Sequence, residues 1–158
     1  MEIVLICLAI ALVLFVSAFM ARRRFGLLGL ALAAGSLLSG IWEYEVELIA
    51  SGLGIQSGPV TSAVILSLIT MLPAGVLLLH GYAYKTLVGR LVGAGMFTLL
   101  ALAFLIEPLG HILILQGQGA DFYGWLVYNR TFIIGAGLIF AVLDLFLTKP
   151  VQKSSKDH

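Results

Sequence analysis

Five apolar runs divide this sequence, and each is about as long as a bilayer is thick. Their approximate limits are Ile3 to Met20, Phe25 to Ile41, Val60 to Leu79, Leu87 to Ile106 and Thr131 to Leu147. A helix rises about 1.5 Å per residue, so roughly 17–25 apolar residues cross a hydrocarbon core about 30 Å thick. The runs are rich in leucine and alanine and lack the period-two alternation of a transmembrane strand. Backbone polar groups in lipid need partners within their own segment, which also selects helices. The expectation is an all-α, polytopic transmembrane helix bundle. It would form one domain over residues 1–148, followed by a short basic tail over 149–158.

Composition limits the alternatives. Only 11% of residues are charged and 61% are hydrophobic, whereas a soluble domain carries about 25% charge to keep its surface hydrated. The mean hydropathy is +1.10. A net charge of +1 supplies no basic stripe for nucleic acid. The single cysteine, Cys7, excludes an internal disulfide, and in an apolar run it reads as a small hydrophobe.

Charge placement orients the bundle. Glu2 precedes the first run and Arg22, Arg23 and Arg24 follow it, the reverse of a cleaved signal peptide. The first run therefore reads as a retained helix with its amino terminus outside. With five spans, Arg22, Arg23, Arg24, Lys85, Arg90, Lys149, Lys153 and Lys156 fall on the cytoplasmic side, and Arg130 alone falls outside. Glu2, Glu43, Glu45, Glu47, Glu107 and Asp121 all fall outside. Short loops enriched in Lys and Arg stay in the cytoplasm, so the carboxyl terminus is expected there. Trp42 and Tyr44, Tyr82 and Tyr84, and Trp125 and Tyr128 sit near run ends, where amphipathic rings favour the headgroup layer. Residues 107–130 read as a long outer linker whose apolar piece, Ile112 to Leu115, is too short to span.

Some residues within the runs invite a more specific reading. Gly29, Ala33, Gly35 and Ser39 in the second run, and Gly89 and Gly93 in the fourth, place small side chains at helical spacing; Ala31, Gly35 and Ser39 lie four apart. Such faces let helix backbones approach closely, within one chain or between chains. Pro73, inside the third run, removes a backbone donor and predicts a kink, as a static bend or a hinge. Asp144 is the one acid inside a run. An intramembrane carboxylate is a functional candidate; the plainer reading pairs it with Lys149 or Arg90 at the interface. Glu107 and His111, one turn apart around Pro108, could share a proton but are too few for a metal site. On a helix, Glu43 and Glu47 would share a face, beside Trp42 and Tyr44.

No Gly-x-Ser-x-Gly, His-Glu-x-x-His or phosphate-cradling loop occurs, so no enzyme activity and no cofactor are expected. The segment Ala21-Arg22-Arg23-Arg24-Phe25-Gly26-Leu27-Leu28-Gly29 and the later Gly89-Arg90-Leu91-Val92-Gly93-Ala94-Gly95 resemble the basic, glycine-containing helix lead-ins of the colicin V production protein family. That likeness covers about the first hundred residues. It departs at Gly89, where the family has an acid, and in the fifth span. It implies an envelope- or secretion-related accessory protein of a bacterial inner membrane and transfers no catalytic residue.

Two functions follow as expectations. One is a membrane scaffold or accessory subunit that binds another membrane protein, or copies of itself, through small-residue faces. The other is a small proton-coupled transporter with Asp144 and the Pro73 kink along its path.

Overall fold

A computed structural model of the chain describes residues 2–56, 58–79, 86–110 and 118–147, with side chains except at 2–7, 110, 118–120 and 122. The described residues form six helices and no strand: α1 (Glu2–Ala21), α2 (Phe25–Trp42), α3 (Val46–Gly52), α4 (Pro59–Leu79), α5 (Leu87–Gly110) and α6 (Gln118–Phe146). Four of them, α2, α4, α5 and the Tyr123–Phe146 part of α6, are long and apolar enough to cross a membrane. Helix α1 is 20 residues long, and its described side chains make up the apolar stretch Leu8–Ala21.

The long helices run alternately up and down. Hydrogen bonds join the end of α1 to the start of α5, and the end of α4 to the turn before α2. Another joins the end of α6 to the start of α2. One end of the bundle thus carries Arg22, Arg23, Arg24 and Arg90, and the opposite end carries α3, Glu107 and Arg130. Helices α2 and α5 are central: α2 packs on α4, α5 and α6, and α5 packs on α1, α4 and α6. Half of the α5 span is buried, against 17% of α4 and of α6. The core centres on Leu28, Leu32, Phe97 and Leu100.

The outer surface is what water would not tolerate. Val60, Val64, Leu68, Leu72 and Val76 make a four-residue-spaced stripe along α4, each 49–63% exposed. Facing water, each would forfeit about 1.5–3 kcal/mol of burial; facing lipid, it forfeits almost nothing. Three hydroxyls within the helices behave accordingly: Ser17, Thr70 and Thr98 each donate to the carbonyl four residues back, at 2.6, 2.9 and 2.8 Å. That bond satisfies a hydroxyl without water.

Three boundaries differ from the sequence expectation. Helix α6 begins at Gln118, not Thr131, so Trp125, Tyr128 and Arg130 are helical, and the apolar piece Ile112 to Leu115 lies outside the described residues. Asp121, in its first turn, suits the positive end of a helix dipole, and no proline interrupts the polar stretch. Helix α5 continues through Pro108 to Gly110. Helix α2 stops at Trp42 and α3 begins at Val46, so Glu43 and Glu47 do not share one helix face. Gly54, with φ +69°, ends α3: Ile55 N–H donates to Ala50 O and Gly54 N–H to Ser51 O, a closure that needs the left-handed residue.

Candidate functional site

A helix leaves its first N–H groups and last carbonyls without intrahelical partners, and carries partial positive charge at its start and negative charge at its end. At the arginine-rich end of this bundle, charged side chains of neighbouring elements fill that need. The Asp144 carboxylate, near the end of α6, accepts from Gly26 N–H at 2.9 Å, in the first turn of α2. The residue before α2, Arg24, supplies no side-chain cap, so the acceptor comes from another helix. Arg23 donates through Nε to Leu78 O at 3.1 Å and through Nη2 to Leu79 O at 2.7 Å, the last two residues of α4. Arg90 donates to Phe19 O at 3.0 Å, near the end of α1, and its guanidinium lies 4.4 Å over the Phe19 ring. Each charge is opposite in sign to the neighbouring helix end it contacts, an anion at the start of α2 and cations at the ends of α4 and α1. Asp144 and Arg90, by contrast, sit at the ends of their own helices, α6 and α5, that disfavour their charge.

Glycine makes the Asp144 contact sterically feasible. A Cβ on Gly26 would lie 2.5 Å from Ala141 O and 3.1 Å from Asp144 Oδ2. On Gly29 it would meet Ala141 Cβ at 3.0 Å. The turn between α1 and α2 carries its own strain, since Arg22 has φ +57°, a region costly for any residue with a Cβ.

The remaining small residues fall as follows. Gly35 lies in the α2–α4 contact, where a Cβ would come within 2.1 Å of Thr70 O. Ser39 is buried and donates to Leu66 O at 3.3 Å across the same contact. Ala33 is half-buried against the core. Gly93 is buried and Gly89 half-buried, its N–H capped by Thr86 Oγ1 at 3.3 Å. Pro73 lies inside α4, which continues to Leu79; proline cannot make the bond to Ile69 O one turn earlier.

At the opposite end Glu107 forms an ion pair with Arg130 of α6. His111, the sequence-based partner of Glu107, and Lys149, offered with Arg90 as a partner of Asp144, lie outside the described residues, while Arg90 donates to Phe19 O. Sequence reasoning did not point to Arg130 for Glu107 or to the Gly26 N–H for Asp144. Arg130 had been assigned to the linker, and a backbone N–H such as that of Gly26 has no residue-type signature. Among the described residues, no three His, Cys, Asp or Glu side chains gather as metal ligands.

The fold and this network define a helical bundle of membrane type whose helix ends are closed by charges from neighbouring elements. No family model matches the chain, and neither a curated protein nor a solved structure is detectably similar to it.

Proposed function

We propose that this chain is a non-enzymatic membrane scaffold or accessory subunit, acting through helix–helix contacts with another membrane protein or with copies of itself. It would span the membrane five times, α1 included, with the amino terminus outside and the arginine-rich end and carboxyl terminus in the cytoplasm. The resemblance noted above favours a bacterial inner membrane and an envelope- or secretion-related role.

The observation that carries this reading is the hydrogen bond from Gly26 N–H to Asp144. A carboxylate that closes a helix start is a fixed part of the bundle's framework, whereas a carrier has to break and remake that interaction on every cycle. The lipid-facing stripes on α4 and α6, exposed at Leu68, Leu72, Phe132 and Ile139, offer broad surface to a partner helix.

The test is flux. The purified chain in liposomes under an imposed pH gradient should pass no more protons than protein-free liposomes. Flux that appears with the wild type and vanishes in a folded Asp144→Asn variant would replace the scaffold with the transporter.

A further inference from the structure

We propose that the turn between α1 and α2 binds the phosphodiester of an anionic glycerophospholipid through the Arg22 guanidinium. This end of the bundle gathers Arg22, Arg23, Arg24 and Arg90, and among the described residues Asp144 is the one acid there. A single carboxylate leaves most of that positive charge unmatched.

The arginines are not equivalent. Arg23 commits Nε and Nη2 to the last carbonyls of α4, and Arg90 lies over the Phe19 ring with a donor on Phe19 O. Arg22 is exposed, and among the described residues its side chain has no acceptor. A guanidinium offers five N–H donors in a planar fork, a geometry that grips two phosphate oxygens at once.

The backbone at Arg22 gives a second reason. With φ +57° it closes α1, its N–H donating to Ala18 O at 3.2 Å. Glycine takes that conformation freely and asparagine tolerates it. An arginine held there at a conformational cost, with no protein partner for its side chain, points to a ligand outside the chain.

The surroundings choose the ligand. Helix α2, long and apolar enough to cross a membrane, starts directly after Arg24, which sets the turn at the edge of the hydrocarbon layer, where lipid phosphates lie. The helix ends at the same side expose Met20, Leu79, Leu87 and Phe146, each by 66–83%. A nucleic acid or an acidic peptide would leave that apolar rim uncovered, whereas a phospholipid brings an anion and acyl chains together. A zwitterionic headgroup carries its own ammonium, which the arginines repel. This inference depends neither on the scaffold reading nor on which face is cytoplasmic.

The experiment is binding of acyl-labelled phosphatidylglycerol to the full chain in micelles of an uncharged detergent, read by fluorescence anisotropy at fixed ionic strength so that screening is equal. Unlabelled phosphatidylglycerol should displace the probe; phosphatidylcholine and inorganic phosphate at the same concentration should not. Arg22→Asn, which suits the left-handed turn, should keep the wild-type melting temperature and weaken binding about fivefold, the contribution of one cationic side chain at an anionic headgroup layer. Arg22→Lys keeps the charge without the fork and should weaken binding by less. Arg130→Gln removes one positive charge at the opposite end and should leave binding unchanged. Equal losses in Arg22→Asn and Arg130→Gln, the mark of unspecific attraction, would overturn the proposal. So would wild-type affinity in Arg22→Asn, or displacement by phosphatidylcholine or inorganic phosphate as effective as by phosphatidylglycerol.

Discussion

Asp144 and Gly26 are 118 residues apart in sequence and 2.9 Å apart as hydrogen-bond partners, carboxylate oxygen to backbone N–H. The bond ties the end of α6 to the start of α2, the helix on which α4, α5 and α6 all pack. Asp144→Leu removes both charge and acceptor and should destabilise the bundle by about 1–2 kcal/mol, the range for a lost helix cap. Asp144→Asn keeps an oxygen acceptor and should lose roughly 0.3–1 kcal/mol, the value of the charge at the dipole. Denaturant unfolding in micelles measures both; a Leu variant as stable as wild type would mean that the contact does not hold the helix.

Gly35 and Gly75 make a matched pair for testing close packing. A Cβ at Gly35 meets the Thr70 backbone carbonyl at 2.1 Å, while at Gly75 it meets nothing within 4 Å. Gly35→Ala forces α2 and α4 apart and should cost about 1–3 kcal/mol. Gly75→Ala should leave stability unchanged or raise it by up to about 1 kcal/mol, because alanine favours the helix. Melting temperatures of the two variants in the same detergent provide the comparison.

The arginines should rank by what they hold. Arg90→Lys loses the guanidinium placed over the Phe19 ring and its donor to Phe19 O, and lysine does not reproduce that geometry. A loss of about 1 kcal/mol is expected. Glu107→Gln breaks an ion pair whose side chains are 29% and 66% exposed, and such pairs contribute about 0–1 kcal/mol. A larger loss for Glu107→Gln than for Arg90→Lys would reverse the assignment of weight to the arginine-rich end.

What could be read from the chain alone follows hydrophobic length. Helices α2, α4 and α5 start within a residue or so of their apolar runs, because length and leucine content decide which segments can sit in lipid. Gly35 and Ser39 were legible as a small-residue face for the same reason: the spacing of four repeats along one side of a helix. Polar turns of helix were not legible. The Gln118–Arg130 part of α6 reads as loop on hydropathy, although its residues tolerate helix and Asp121 suits its first turn. With that segment taken as linker, Glu107 was paired with His111 four residues on, and Arg130 was passed over. The cap on Gly26 was hidden more deeply. Its donor is backbone, present at every residue except proline, and only the packing of Ala141 against Gly26 and Gly29 selects it.

The most direct measurement of the whole account is the side of the membrane on which each connection lies. Reporter fusions after Glu47, Lys85, Asp121 and Lys153 should report outside, inside, outside and inside, which would place the arginine caps at the cytoplasmic face and the Glu107–Arg130 pair at the outer one. Two successive fusions reporting the same side would contradict the five-span arrangement, and a fully inverted pattern would put the arginine-rich end outside.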